Sequence, residues 1–214
     1  MKLTGGAIDG SSTTVGSPSP QAVEQARWRG WFYRAVATDP QAAVLEFGAP
    51  YVRHWFPDVV TGDPAGLSFA APGPTFGTVI LHATLAGCPT LTEAFRAAHR
   101  ALEPRGVAVV AGYNRWRHRQ CVMDAPCASP SEFRHAARDA GFTDVSLYLA
   151  RPDLDYPDCM IAADRRSAQA YFRFELAVRR SRGRLRHPFV RSFAAMLDIP
   201  RWVEPCIIVI ARKC

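Results

Sequence analysis

His82 and Asn114 are the polar residues best placed to do chemistry in this chain. His82 directly follows the short apolar run Val79 to Leu81, and Asn114 lies three residues beyond the run Val107 to Ala111. In open parallel sheets, ligands bind at the carboxyl ends of such buried strands. An imidazole there accepts a proton near the switch point, or is a hydrogen-bonded structural histidine. An asparagine there binds a polar group or caps its loop. Tyr113 and Trp116 flank Asn114 and are read as pocket walls. A second candidate is basic: Arg179, Arg180, Arg182, Arg184, Arg186 and Arg191 crowd one segment around Gly183. Guanidinium groups grip phosphate and carboxylate in bidentate fashion, so an acidic or phosphate-bearing ligand is expected at Arg180 and Arg184, with a solvated basic loop as the competing reading. The chain has two lysines against twenty-four arginines, so arginine is its general cation and the cluster by itself is not diagnostic. Cys121 and Cys127 with His118 offer zinc-type donors, but five residues separate the thiols and a fourth ligand is missing, so no metal is assigned.

The elements that position these residues follow from apolar spacing. Thr78 with Val79 to Leu81 is short and β-branched, as suits a strand covered on both faces. From Pro89 to Leu102, apolar residues at Leu91, Ala94, Phe95, Ala98 and Leu102 trace one helical face, with Thr90 or Thr92 to cap it. Glu103-Pro104-Arg105-Gly106 ends that helix, with Gly106 as the permissive turn residue, and Val107 to Ala111 returns as a second buried strand. Strand, helix, turn and strand in this order form half of an α/β nucleotide-type domain, joined by a right-handed crossover. Gln21 to Ala37 is expected as a helix with a broad apolar face. Ser129-Pro130-Ser131-Glu132 is a capping pattern opening a helix that Gly141 stops. Val145 to Leu149 and Cys206 to Ala211 read as further strands.

Composition bounds the rest. At 214 residues the chain is long enough to bury a sizeable core in one domain. Met1 to Pro20 is rich in Gly, Ser, Thr and Pro and is expected to be disordered. The six cysteines show no CxxC spacing and no apolar leader precedes them, so reduced thiols and a cytoplasmic location are expected. No run reaches the roughly 18 to 20 apolar residues of a membrane span. The net charge of +7 is local: Cys159 to Cys214 holds eleven Arg and one Lys against four acidic residues, or +8, which leaves −1 for the remainder. Nucleic acid is not expected as a partner, because no recognisable module or stacking platform accompanies the charge.

Several segments together resemble class I S-adenosylmethionine-dependent methyltransferases of the type 11-like kind. ALEPRG followed by VAVVAGYN is similar to that family's "vLkPGG, strand, N" segment. Asp63, Leu67, Phe69, Phe76 and Val79 fall into the places of its "D-x-x-x-LPF-x-x-x-x-FD-x-V" stretch. Val44-Leu45-Glu46-Phe47-Gly48 resembles its first strand and cofactor loop, and Gly112-Tyr113-Asn114-Arg115-Trp116 resembles the "GFNP-aromatic" tail of small bacterial members. The ordered match covers roughly Ala42 to Val145. It implies a Rossmann-like, mostly parallel α/β sheet with an antiparallel last strand. Residues 21 to 214 would form the domain, with 151 to 205 as an arginine-rich insertion before that strand.

The resemblance also implies S-adenosylmethionine as cofactor, with Glu46, Gly48, Asp63 and Leu81 as cofactor residues. His82 and Asn114 would be the catalytic residues acting on a small-molecule acceptor, and Tyr113, Trp116, Arg180 and Arg184 would meet the substrate. The chain departs from the family at three points. The cofactor loop Gly48-Ala49-Pro50-Tyr51 keeps one glycine, and Pro50 lacks an N–H. Only 16 residues separate Glu46 from Asp63, so about one αβ unit is missing or shortened. Gly77 stands where an aspartate near the methyl donor is usual, and Ala86-Gly87 replaces an acidic and histidine pair. Asp63 then follows either the second strand, where it would bind ribose, or the third, where it would meet adenine; the Leu-Ser-Phe that follows favours the third. These departures support a second expectation: a catalytically inactive, methyltransferase-like domain that has lost the cofactor and binds a protein partner.

Overall fold

The computed structural model describes residues 32–37, 39, 41–48, 52, 56–62, 76–115, 125–151, 154, 159–181, 204 and 206–214. Asp63, Trp116, Arg184 and the expected tail over residues 1–20 lie outside them. Residues 32–36 are helical (α1) and form the described end of the helix expected over Gln21 to Ala37. Then follow β1 (Val44–Phe47), β2 (Val59–Thr61), β3 (Phe76–His82), α2 (Leu91–Ala101), β4 (Leu102–Asn114), β5 (Cys127–Ala128), α3 (Pro130–Asp139), β6 (Asp144–Arg151), β7 (Cys159–Ala162), α4 (Arg165–Ser181) and β8 (Cys206–Arg212).

These strands form one sheet in the order β2-β1-β3-β4-β8-β6-β7, with β5 alongside β4. The pairs β1–β2, β1–β3 and β3–β4 are parallel, and β8 runs antiparallel between β4 and β6. Against the doubly wound order 3-2-1-4-5-6, β2-β1-β3-β4 fills places 2, 1, 4 and 5. No described strand fills place 3. The insertion contributes β7, an extra antiparallel edge strand on β6, and α4.

Alternation along the strands divides the core between two faces. Leu45, Phe47, Val79, Leu81, Ala108 and Val110 pack on one face with Phe95 of α2 and Phe133 of α3. Val44, Ile80, Val107, Val109 and Ala111 pack on the other with Phe32 and Tyr33 of α1. Because β3 is buried at every position, it must be apolar on both faces, and its short β-branched run is.

The sequence set the helix starts closely. Thr90 caps α2 by accepting from the Glu93 N–H at 3.2 Å. Ser129 and Glu132 form the reciprocal capping box of α3, and Gly141 ends that helix at φ +101°. The turn after α2 differs from expectation. Arg105 takes the left-handed conformation (φ +66°), while Gly106 is a close-packing site, where a Cβ would stand 3.1 Å from the Gly77 carbonyl oxygen. Lys213, at the end of β8, caps the α2 carboxyl terminus by donating to the His99 and Leu102 carbonyls at 2.8 and 2.6 Å.

Candidate functional site

The chain leaves β1 outward to β2 and then returns past β1 to β3. The order of strands reverses there, and such a switch point is where an open parallel sheet leaves a crevice at its carboxyl edge. Glu46 and Gly48 flank this point from β1, and His82 flanks it from β3. The Glu46 carboxylate is fully buried, and β1 pairs it with Thr61 of β2 and Ile80 of β3. Gly48 has φ +75°, and a Cβ there would stand 2.2 Å from the His82 carbonyl oxygen. The two loops therefore touch backbone to backbone at this level. His82 is buried, and its Nδ1 lies 2.5 Å from the Tyr33 hydroxyl, with the two rings edge to face. Tyr33 went unnoticed in the sequence; its only local signal is its place on the apolar face beside Phe32.

Three expectations change here. Leu81 is not free to meet a ligand: its side chain lies in the core, and its backbone is held between Phe47 of β1 and Val110 of β4. Gly77 lies at the amino end of β3, five residues before His82, where a Cβ would meet Ala42 at 2.4 Å. It is a packing glycine at the opposite end of the strand, and not a lost contact to a methyl donor. The strand before Asp63 is β2, which pairs directly with β1 and so stands in the second place, not the third preferred from sequence. The cause is the short connection, which leaves room for one strand outside β1. Asp63 thus follows the strand whose end would carry a ribose-binding carboxylate.

His82 and Asn114 do not come together. His82 pairs with Ala111, so Asn114 stands three residues, or about 10 Å, further along β4. Strand alternation also sets it on the α3 side, whereas His82 faces α1. Asn114 is fully buried and pairs with Ala128 of β5, which continues the line of β3 beyond its end. Tyr113 is half-buried against the α1 side, and its N–H donates to the Pro126 carbonyl at 2.7 Å. Gly112 admits this crossing: a Cβ there would stand 2.5 Å from the Pro126 carbonyl oxygen. Two donors after β3 are already engaged, Ala83 N–H with the Ala111 carbonyl and Ala86 N–H with the Thr84 hydroxyl.

A cavity of about 560 Å3 lies between the start of α2 and α3, with Thr90, Leu91, Arg115, Glu132 and His135 among its walls. None of the sequence-predicted site residues among the described residues lines it. Arg115 and Glu132 pair across its mouth at 2.9 Å. Burial works to raise the Glu132 carboxyl, but the Ser129 N–H and hydroxyl and the Arg115 charge outweigh it and hold the group below its ordinary value.

Cys127 is disulfide-bonded to a partner outside the described residues. This corrects the expectation of reduced thiols at that position; Cys88, Cys159, Cys206 and Cys214 are free. The CxxC rule does not register it, because no second cysteine stands at that spacing from Cys127. Among the described residues no group of three or more His, Cys, Asp or Glu side chains is arranged to hold a metal ion.

At the opposite edge, Arg151 bonds Glu175 of α4 and Glu204 at 2.9 Å each. Burial disfavours the guanidinium charge, yet the two carboxylates overcome this and hold it protonated. Tyr171 is pushed up to about 12 by burial and by the neighbouring Cys159 thiol, whose S–H lies 3.3 Å from its oxygen. Residue 180 belongs to α4, which packs on β7, four strand spacings or about 19 Å across the sheet from β3.

No family model matches the chain, and no curated protein matches it. Solved structures do. An S-adenosylmethionine-dependent methyltransferase from Archaeoglobus fulgidus superimposes with a TM-score of 0.52 at 13% identity, over 90% of this chain and 94% of that one. A SAM-dependent methyltransferase from Thermotoga maritima gives 0.49 at 11% identity, over 89% and 92%. Phosphoethanolamine N-methyltransferase 2 of Haemonchus contortus, in complex with S-adenosyl-L-methionine, gives 0.49 at 11% identity, over 86% and 52%. The architecture is a Rossmann-like, mostly parallel α/β sheet with β8 antiparallel between β4 and β6 and β7 as a further antiparallel edge strand. More particularly, it is a class I methyltransferase-like fold. No helix of the described residues is long and apolar enough to cross a membrane.

Proposed function

We propose that this chain binds S-adenosylmethionine at the β1–β3 switch point and transfers its methyl group to a small-molecule acceptor. The observation that carries this reading is the fully buried Glu46 carboxylate, two residues before the left-handed Gly48 at the carboxyl edge. A buried carboxylate at the topological switch point suits a ligand bearing hydroxyl and ammonium groups. Glu46 and Asp63 would hold those polar groups, and Gly48 would admit the ligand near the backbone. When bound, the cofactor supplies an electrophilic methyl group. His82 would act as the base: the contact between its Nδ1 and the Tyr33 hydroxyl orients the ring, and in the tautomer that carries its proton on Nδ1 the Nε2 atom is left to take the acceptor's proton. Tyr113, on the α1 side of the sheet as His82 is, and Trp116 would form the acceptor wall, whereas Asn114, buried on the opposite face, is left with a structural role. Arg180 and Arg184 would hold an acidic portion of the substrate.

One observation favours a second reading, a non-catalytic domain that has given up the cofactor and binds a protein partner. The Gly48 α-carbon abuts the His82 carbonyl, so part of the space a glycine loop would open is filled by the chain itself. Isothermal titration with S-adenosylmethionine and S-adenosylhomocysteine decides between the two. Micromolar binding that is lost in Asp63→Ala and weakened in Glu46→Gln supports the enzyme. Absence of heat at millimolar ligand rejects it.

A further inference from the structure

The solvent face of α4 is built unlike any other described surface. Arg166 and Arg173 are exposed and seven residues apart, two helical turns or about 10.5 Å along one line. Residue 180, also arginine, is the next position of the same repeat. Between them stand the exposed Ala170 and Ala177, which obstruct nothing. Beside Arg173 projects Phe174, 67% exposed, one of the two large apolar side chains exposed among the described residues. The acidic groups of this stretch have other partners: Glu175 is held by Arg151, and Asp164, exposed at the start of the helix, accepts from the Ser167 N–H at 2.9 Å. The opposite face, with Ala168 and Phe172, is buried.

From this arrangement we infer that α4 is a docking face for an anionic phospholipid surface. The inference stands apart from the methyl-transfer reading and survives its failure. Charge complementarity selects an anionic partner: Arg165, Arg166 and Arg173 are exposed on α4, in the part of the sequence, Cys159 onward, that carries +8 against −1 for the rest. Phe174 selects the kind of anion. A phenyl group projecting beside arginines gains only where an apolar phase lies just behind the charged layer, as the acyl boundary lies behind phosphate head groups. The arginine stems can lie along that boundary while their head groups remain at the phosphates. A single-stranded nucleic acid would call for several aromatic platforms along its path, and this face offers one.

Co-sedimentation of the full chain with vesicles tests the inference, using phosphatidylcholine alone and phosphatidylcholine with about one third phosphatidylglycerol. The chain is expected to partition at least tenfold more strongly onto the anionic vesicles and to be released by high salt. Each arginine near such a surface contributes roughly a factor of five, so Arg166→Ala with Arg173→Ala lowers partitioning about 25-fold. The lysine pair, Arg166→Lys with Arg173→Lys, retains most of it, and Phe174→Ala lowers it several-fold. All three positions are exposed, so the variants melt as the parent chain does. Equal binding to both vesicle types, an unchanged alanine pair, or a lysine pair as weak as the alanine pair would overturn the inference. So would absence of vesicle binding by a chain that retains a single-stranded RNA or an acidic protein through the same arginines.

Discussion

Gly48 meets two separate demands that only glycine satisfies: a left-handed backbone and contact with the His82 carbonyl. Gly48→Ala therefore adds strain at φ +75° to a backbone clash, and costs at least about 2 kcal/mol of folding stability by denaturant titration. A cost below about 0.5 kcal/mol, the size of an ordinary surface substitution, would mean the two loops separate readily and the switch point is open. The same contact shows that a glycine kept at a cofactor-loop position need not be kept for a cofactor. His82 carries a similar lesson. Its hydrogen bond joins it to Tyr33, forty-nine residues earlier, so whatever it does chemically it does with α1 in place.

At the scale of elements, α3 is the best-defined helix, and its beginning is electrostatic as well as geometric. Ser129 accepts from the Glu132 N–H and the Ser129 N–H donates to the Glu132 carboxylate at 2.7 Å. Ser129→Ala is expected to cost about 1 kcal/mol in denaturant titration. The linked acid dependence has a definite sign. The folded Glu132 lies below its ordinary value of 4.5, so its contribution is present above that pH and is lost as the pH falls through the folded value. In Ser129→Ala part of that acid-dependent loss disappears; an unchanged acid limb would show that the backbone N–H of residue 129 and Arg115, both kept in the variant, set the carboxylate. The neighbouring β5 is only two residues long, yet it closes the end of β3 and fixes where Asn114 lies, a disproportion explained by Gly112, which lets the strand cross close above it.

For the molecule as a whole, Arg151 ties three remote stretches together: the end of β6, the middle of α4 and Glu204 at the approach to β8. Replacing Arg151 with Ala removes this ion pair from a largely buried Glu204 carboxylate. The expected loss is about 2 to 3 kcal/mol, reduced from the fully buried case because the guanidinium is 26% exposed. Limited proteolysis near α4 quickens in the variant. A variant as stable and as protease-resistant as the parent would mean that the insertion is held by its apolar contacts alone.

The sequence by itself determined the elements whose information is local. The apolar runs of β3 and β8, the three-and-four spacing of α2, and the caps at Thr90 and Ser129 all depend on residues within a few positions of one another. The short connection from Glu46 to Asp63 also indicated a shortened sheet, while the antiparallel last strand was implied by the family resemblance and not by any local pattern. Only the tertiary structure decided the place of β2, a three-residue strand with two exposed positions and no readable pattern. Long-range neighbours likewise decided that Arg105 and not Gly106 makes the turn, that Gly77 is a packing glycine, and that His82 meets Tyr33 and not Asn114. Strand register and face assignment are pairings between distant residues. No stretch of sequence encodes them alone, and the assembled sheet selects them by which contacts can be made together.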